Sequence, residues 1–483
     1  MGRGRLGQGG IRGSDRGGRY TRRAGLRALA ALGALGAWPL AACGGAGSTS
    51  TAQGEAPARS RGPATVRFAA AGLGTELQIW TEVVETYNAQ GTGITVQYEP
   101  CTAGSASAQD CLPVYFTQFV AGSPPDVWRV DDEPLPFYAD KGMYFELDRL
   151  FARDARELNP ADFFPRALAA YRYDRQAFRF GQGKLYALPF NTGGDVLFYN
   201  KRLFAEAGVP APPLDGSWTI DDWLERARRL AVLEPDGAMR TAALAGRPSF
   251  RGNLSWLWAR GAQFLDGSGR RWTFTAPETV RAYEWLVDLR RRHKVVPGPT
   301  DLQGQGNLFY AGRAAMALNF PNNLRELYAR PELEWDVAPF PKAVDGQRYT
   351  RETADGVGLP AGARQVEPAW TFVKWLTSGE GAKIFTRAGR AVPARRSAAT
   401  SPDYVRPDTP QHEEEIVKAL EYSRLQPVTL MFNDAEQMVR AYENAMFDEK
   451  EPLPVGPALR QLQEALDKLE RDRAKPEGWE PRR

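Results

Sequence analysis

The stretch from Gly183 to Pro213 constrains the fold more than any other part of the chain. Its first half has apolar residues between positions 185 and 188, and its second half carries the β-prone run Val196–Tyr199. The pair Gly193-Gly194 lies between them, where glycine favours a bend or a turn. A short helical turn follows and ends at Gly208, before prolines that cannot continue a helix. The pattern therefore predicts two extended segments that meet at a flexible joint.

The same stretch carries a family resemblance. The run GKLYALPFNTGGDVLFYNKRLFAEAGV, with a proline cluster and then WTIDDW after it, resembles the first crossover of the family 1 extracellular solute-binding proteins. These proteins are the substrate receptors of bacterial ABC importers for sugars, and in them this segment leaves one lobe, passes the hinge and enters the other. Residues 309–320 and 354–359 resemble the second and third crossovers, and residues 432–471 resemble the helical end of the family.

The resemblance covers roughly residues 64–471 and implies an α/β, two-lobed periplasmic-binding-protein-like fold with three interlobe crossovers. The lobes that it predicts are residues 64–192 with 320–355 for lobe 1, and residues 193–319 with 356–483 for lobe 2. The residues themselves agree in two respects. A chain of 483 residues is too long for a single hydrophobic core, and the strand, helix, strand order from position 65 to 98 predicts a βαβ unit with a parallel sheet. Ligands bind at the strand ends of such sheets.

The N-terminal 42 residues have the composition of an export signal. Eight arginines and one acidic residue, Asp15, give this segment a net charge of +7, whereas the whole chain carries +4. The remaining 54 basic and 57 acidic residues sum to −3, which leaves no basic surface for nucleic acid. The apolar run Ala28–Leu40 follows the arginines and is too short to span a bilayer permanently. We expect residues 1–42 to be a lipoprotein signal peptide.

Cys43 is the expected lipidation site. The sequence LAACG at positions 40–44 resembles a bacterial lipobox, whose cysteine accepts a diacylglycerol; plain signal cleavage beside an incidental cysteine is the alternative. Residues 43–63 are rich in Gly, Ser, Ala, Thr and Pro, so we expect a lipid-anchored flexible tether. Export would use the Sec pathway or the twin-arginine pathway, since Arg22-Arg23 resembles a twin-arginine motif in which Gly25 replaces the usual bulky residue. The predicted location is the outer face of the cell membrane.

Two further cysteines, Cys101 and Cys111, lie ten residues apart. Outside the cytoplasm an even number of cysteines favours a disulfide, and this pair would close a short loop. Two separate thiols are the alternative.

The candidate ligand-binding residues combine aromatic rings with charged and amide groups. The segment SPPDVW resembles a family strand whose end faces the cleft, so Trp128, Arg129 and Asp131 would stand near the mouth. An indole stacks on the apolar face of a sugar ring while charged groups hydrogen-bond the hydroxyls; a buried strand residue is the alternative for Trp128. The other candidates lie at the predicted crossovers, in the second lobe and at the helical end: Asn191, Arg251, Asn253, Trp256, Phe320, Asn322, Asp355 and Asn433.

Trp218 and Trp223 also invite a sugar-binding interpretation, but their position favours packing. They flank the start of a helix that Thr219 and Asp222 would cap through a variant of the capping box. We therefore expect these two indoles to belong to a core.

The sequence offers little for catalysis or for a metal. His293 and His412 are the only histidines, and no partner motif accompanies either of them. Convincing Gly-x-Ser-x-Gly, phosphate-loop and paired Cys-x-x-Cys motifs do not occur. We therefore predict no enzyme activity, no catalytic residue, no metal and no cofactor.

The predicted function is an extracytoplasmic receptor of an ABC importer that captures a sugar or oligosaccharide by hinge closure. Its partners would be the ligand, the membrane subunits of the importer and, through the lipid anchor, the membrane; the receptor would be a monomer. One alternative is a membrane-tethered carbohydrate-active hydrolase, since two carboxylates about 5 to 9 Å apart can hydrolyse a glycoside. The others are a receptor for a non-sugar solute, such as glycerol phosphate or a polyamine, and an adhesion or scaffold lipoprotein.

Overall fold

The computed structural model describes residues 63–71, 74–102, 108–246, 249–298, 301, 307–319, 324–389, 392–405 and 410–473. These ranges belong to one compact unit, Glu55–Arg483. The predicted signal peptide, Cys43 and all of the tether except its last residue lie outside the described residues, and so do Phe320 and Asn322. No helix in these ranges combines the length and the apolar character that crossing a bilayer requires.

The described ranges contain fifteen strands, which we number in chain order. They are β1 (Ala64–Ala71), β2 (Ile94–Cys101), β3 (Val127–Asp131), β4 (Arg172–Asp174), β5 (Arg179–Phe180), β6 (Lys184–Leu185), β7 (Ala187–Gly194), β8 (Val196–Asn200), β9 (Val232–Leu233), β10 (Met239–Ala245), β11 (Ala314–Asn319), β12 (Trp335–Ala338), β13 (Thr350–Gly358), β14 (Val392–Pro393) and β15 (Ser423–Leu425).

The α-helices of the same ranges are numbered likewise. They are α1 (Gly74–Asn88), α2 (Ala108–Val120), α3 (Leu135–Asp140), α4 (Asp148–Arg153), α5 (Ala155–Leu158), α6 (Pro165–Ala169), α7 (Lys201–Glu206), α8 (Ile220–Leu230), α9 (Phe250–Ala259), α10 (Pro277–Arg291), α11 (Leu324–Tyr328), α12 (Val366–Leu376), α13 (Gly379–Arg387), α14 (Arg396–Ala399), α15 (Glu414–Lys418), α16 (Phe432–Phe447) and α17 (Val455–Arg473).

Two large sheets define the two lobes. The first has the order β14–β7–β13–β3–β1–β2, with β15 paired to β13, and the second has the order β12–β8–β11–β10–β9. Strands β1 and β2 pair in parallel around α1, which confirms the predicted βαβ unit. A small antiparallel sheet of β5, β4 and β6 precedes β7.

The first passage between the sheets lies where the sequence predicted it. Strand β7 belongs to the first sheet and β8 to the second, and Asp195 alone separates them. Two more passages follow in the described residues, one between β12 and β13 and one between β15 and α16. Three thin connections of this kind allow two rigid lobes to move about a hinge.

The second and third passages differ from the prediction. Residues 309–320 do not return the chain to the first lobe, because β12, further along, still pairs antiparallel with β8 in the second sheet. Residues 354–359 do not leave the first lobe either, since β13 is hydrogen-bonded between β3 and β7. The segment after β13 also stays there: the rings of Phe372 and Phe385 pack against Phe68 and Trp80, with centroids 5.3 and 5.1 Å apart respectively.

The second lobe has its own aromatic core. The Trp223 ring lies 4.4 Å from that of Trp256, whose ring lies 4.8 Å from that of Phe340. Thr219 and Asp222 form the predicted capping box at the start of α8, and Trp218 and Trp223 are both buried. The interpretation of these two indoles as packing residues is confirmed.

Cys101 and Cys111 are joined by a disulfide, as the spacing predicted. The bond ties the end of β2 to helix α2, and both cysteines are buried. It closes a loop at the carboxyl end of a parallel strand.

Candidate functional site

Three neighbouring strands of the first sheet bring four of the predicted site residues together. Asp355 on β13 is paired in register with Asp131 on β3 and with Asn191 on β7. The backbone N–H of Asp355 donates to Asn191 Oδ1 at 3.2 Å. Arg129, two residues before Asp131, completes the group, which lies close to the first passage between the lobes.

Arg129 is the electrostatic centre of this group. Its guanidinium lies 2.7 Å from Asp355 Oδ1, 3.3 Å from Asp131 Oδ1 and 3.4 Å from Glu76 Oε2. Burial lowers the pKa of Arg129, but the carboxylates of Asp355, Asp131 and Glu76 outweigh burial and raise the pKa above its ordinary value. The side chain is therefore a permanent cation held by carboxylates.

The carboxylates around Arg129 are not equivalent. Burial raises the pKa of Asp131 because desolvation of its carboxylate outweighs the attraction of Arg129. Asp355 makes the shorter ion pair, and its side chain is 24% exposed, against 12% for Asp131. We therefore assign the neutralisation of Arg129 to Asp355, which also keeps an oxygen within reach of solvent.

Asp132 and Glu133 extend the acidic run beyond β3. Asp132 accepts hydrogen bonds from Thr353 Oγ1 at 3.0 Å and from the N–H of Ala354 at 3.3 Å. Burial and the neighbouring charges of Glu133 and Asp131 raise the pKa of Asp132. Glu133 accepts from Gln426 Nε2 at 2.7 Å and lies at the boundary with the second lobe.

Helix α9 carries three predicted site residues, and the structure gives them different surroundings. Arg251 Nη1 lies 2.8 Å from Glu133 Oε1 of the first lobe. Asn253 is buried, and its Nδ2 donates to Glu443 Oε1 at 3.4 Å in the interior of the second lobe. Trp256 is 2% exposed and packs in the aromatic core.

Neither of the two tryptophans among the predicted site residues, Trp128 and Trp256, is exposed at the boundary between the lobes. Trp128 is 1% exposed, and its ring is stacked on Tyr115 at 5.8 Å and meets the edge of Tyr144 at 5.8 Å. A strand of a sheet covered on both faces buries its side chains on both sides, which explains the position of Trp128. The expectation that the Trp128 indole stacks on a sugar finds no geometric basis, and the alternative, a buried strand residue, agrees with the structure.

A cavity of about 160 Å³ lies beside this boundary and holds the predicted residue Asn433. Its walls come from Glu133 and α3 on one side and from the start of α16 on the other. The rings of Phe137, Tyr138 and Phe432 line it together with Asp434. Aromatic rings, two carboxylates and an amide therefore line a space open to solvent.

Glu76, Glu133 and Ser255 belong to the site region but were missed by sequence reasoning. Glu76 sits in the first turn of α1 and accepts from Trp80 Nε1 at 2.9 Å. The acidic run Asp131–Glu133 at a strand end could have indicated Glu133. Ser255 lies four residues after Arg251, so both share one face of a helix, and this spacing could have indicated Ser255. Nothing in the sequence pointed to Glu76. Within the described residues, no group of His, Cys, Asp and Glu side chains could hold a metal ion.

The chain passes between two lobes through thin connections, and polar groups lie at strand ends close to these connections. This arrangement defines a ligand-binding protein of the hinged two-lobe class. The chain belongs to the bacterial extracellular solute-binding protein family, whose model matches residues 71–383. This membership places the protein outside the cytoplasm.

Individual relatives are more distant. The maltotriose-binding protein of Pyrococcus abyssi is 24% identical over 310 residues, which is 63% of this chain and 60% of that protein. The chain thus spans less than two thirds of the length of the curated relatives it matches first. Among solved structures, the substrate-binding protein Lmo0181 of Listeria monocytogenes in complex with cycloalternan has a TM-score of 0.70 at 22% identity, over 84% of this chain and 99% of that one. UgpB of Mycobacterium tuberculosis in complex with glycerophosphocholine has a TM-score of 0.69 at 18% identity, over 85% and 99%. These likenesses establish the shared fold.

Proposed function

We propose that this protein is the substrate-binding receptor of an ABC importer and captures a neutral sugar or oligosaccharide between its lobes. Family membership supports the receptor, and the names of relatives, among them a maltotriose-binding and a mannitol-binding protein, support a carbohydrate ligand. The observation that carries the proposal is the grouping of carboxylate and amide oxygens with three aromatic rings at the boundary between the lobes. Sugars need both, because their hydroxyls form hydrogen bonds and their C–H faces pack on rings.

The proposed ligand contacts are Asp355 and Asn433, whose side chains are both reached by solvent. Arg129, Asp131 and Asn191 would position Asp355 through the contacts described above. Phe320 and Asn322 remain predicted ligand residues outside the described ranges. A ligand that touches both lobes favours the closed arrangement by the contacts that the open arrangement lacks.

Charge distinguishes the proposed ligand from a phosphorylated solute. The carboxyl groups of Glu76, Asp131, Asp132, Glu133 and Asp355 outnumber the guanidinium groups beside them, which are those of Arg129 and Arg251. Acidic surroundings disfavour an anion. We therefore propose that glycerophosphodiesters, although one structural relative binds such a compound, are not ligands here.

A thermal-shift screen of the purified protein tests the proposal. Mono- and oligosaccharides, sugar phosphates and polyamines are compared at equal concentration; a ligand at 100 times its Kd adds about 2.7 kcal/mol of stability. We expect stabilisation by one or a few neutral sugars. Stabilisation by phosphates or polyamines alone would contradict the carbohydrate assignment, and no response to any compound would favour a scaffold lipoprotein. New reducing ends from an oligosaccharide would identify a hydrolase instead.

We further propose that residues 1–42 form a signal peptide, that Cys43 carries the lipid, and that the receptor acts as a monomer on the outer face of the membrane. The arginine-rich start, the short apolar run and the LAACG sequence support this. Metabolic labelling with a fatty acid should mark the wild type and not Cys43→Ala. Lysine replacement of Arg22 and Arg23 separates the export routes, since a block of export indicates the twin-arginine pathway and normal export the Sec pathway.

A further inference from the structure

Helix α9 of the second lobe contacts the first lobe at two points that lie one helical turn apart. At the first point, Ser255 Oγ donates to Asp195 Oδ2 at 2.9 Å and accepts from the N–H of Arg351 at 3.0 Å. Asp195 is the residue that joins β7 to β8, and Arg351 lies on β13. Ser255 therefore ties α9 directly to the hinge.

The second contact is the ion pair of Arg251 with Glu133. Positions 251 and 255 are separated by four residues, so the two side chains lie on the same face of α9. Their separation along the helix axis is about 6 Å at 1.5 Å per residue. Arg251 thus reaches the first lobe about one helical turn from Ser255, beside the third passage, where Gln426 bonds Glu133. A rotation of the lobes about Asp195 would displace Arg251 from Glu133 more than it displaces Ser255 from Asp195, because Ser255 contacts the pivot residue itself.

Each member of the ion pair also has a partner that does not depend on the other. Arg251 Nη2 lies 2.6 Å from Glu436 Oε2 on α16, and its guanidinium lies 5.3 Å from the Phe432 ring centroid. Glu133 keeps the hydrogen bond from Gln426. Separation of Arg251 from Glu133 consequently leaves neither charge buried without a partner, which is the condition that makes the loss of a buried ion pair costly. The ion pair can therefore break without leaving either charge buried and unpaired.

We propose that the Arg251–Glu133 ion pair is a clasp that holds the lobes together and sets the balance between open and closed receptor. Arg251 is then a positioning residue rather than the ligand contact that the sequence predicted. The effect on affinity rests on the proposed function, but the effect on the shape of the free protein does not. Loss of the clasp lowers the fraction of receptor that is closed. The apparent affinity falls in proportion to this fraction, and by the same factor for every ligand.

Small-angle scattering of the ligand-free protein tests the clasp through a substitution of each partner of the ion pair. Arg251→Met and Glu133→Gln should each increase the radius of gyration relative to the wild type, because each removes the same contact. Arg202→Met is the matched control: it removes an exposed ion pair with Glu206 inside the second lobe and should leave the radius unchanged. Unchanged radii in both test variants, with native circular dichroism, would overturn the proposal.

Calorimetric titration with two chemically different ligands from the thermal-shift screen then separates the clasp from a direct contact. If the ion pair acts as a clasp, Arg251→Met lowers the affinity for both ligands by the same factor, on the order of tenfold. A loss confined to one of them identifies a ligand contact and contradicts the clasp. If no compound binds the wild type, the proposed function fails, while the scattering comparison still decides whether the clasp exists.

Discussion

Asn191 accepts a hydrogen bond from the backbone N–H of Asp355, at the point where the register of β7 against β13 shifts by one residue. Such an irregularity lets a strand re-aim a side chain, and bulges are common beside binding sites. The extra residue is Phe190 on β7, directly before Asn191, and the Asp355 carboxylate on the facing strand lies 2.7 Å from Arg129. The amide of Asn191 thus fixes the strand that presents the central ion pair of the site.

Asp355→Asn should lower the affinity for the ligand found in the thermal-shift screen by about tenfold or more. It should also reduce the free energy of unfolding by about 2 kcal/mol. The reason is that Arg129, which is buried, loses its closest counter-charge while Asp131 and Glu76 remain. Calorimetry and chemical denaturation measure the two effects. Glu82→Gln is the control, since it breaks only an exposed ion pair with Arg387 and should change stability by less than about 0.5 kcal/mol.

Ser255→Ala should destabilise the protein by about 1–3 kcal/mol, because it leaves Asp195 Oδ2 and the N–H of Arg351 without this partner in a buried hinge. Urea denaturation measures the change. The control is Ser268→Ala, which removes an exposed hydroxyl that bonds Asp266. Equal effects of the two substitutions would argue against a special role for Ser255 at the hinge.

Glu443 makes stability depend on pH. Burial raises the pKa of this carboxyl from 4.5 to about 8, although Asn253 and Tyr283 donate to it. The native state therefore holds the proton that the unfolded state releases above pH 4.5, so the stabilising contribution is full below that pH. It is lost as pH rises to about 8, by about 1.4 kcal/mol per pH unit.

Glu443→Gln should remove this part of the slope, so that the stability of the variant relative to the wild type increases between pH 5 and pH 8. Denaturation curves at several pH values measure it. Glu380→Gln, at an exposed position of α13, is the control and should follow the wild type. Parallel curves for the wild type and Glu443→Gln would refute the assignment.

Reduction of the disulfide should lower the free energy of unfolding by about 2–3 kcal/mol, the loop-closure entropy expected for a ten-residue separation. Denaturation with and without a reductant measures the loss. The double variant Cys101→Ala/Cys111→Ala should be equally destabilised and insensitive to reductant. A wild type that gains no mass on reduction of the denatured chain would contain no such bond.

The parts of the structure that sequence reasoning predicted are those coded by neighbouring residues. The joint around Gly193-Gly194, the βαβ unit, the capping box at Thr219 and the pairing of Cys101 with Cys111 all depend on local pattern or close spacing. The second and third passages were misplaced because strand membership depends on partners far along the chain. Nothing in residues 335–338 themselves specifies that β12 pairs with β8.

The candidate site follows the same division. Polar residues at strand ends were found, since the family resemblance and the order of elements place them at one sheet edge. Their partners were not: Arg251 and Glu133 are far apart in sequence, and their contact depends on how the lobes meet. Trp128 and Trp256 show the opposite error, because an indole has the same composition whether it is buried in a core or offered to a sugar.

The most direct test of the account is small-angle scattering of the wild-type protein with and without the sugar that stabilises it most in the thermal-shift screen. Two lobes that close on a ligand predict a smaller radius of gyration at saturation, with a concentration dependence that matches the calorimetric Kd. A radius that stays the same while the sugar binds with full occupancy would contradict closure of the lobes.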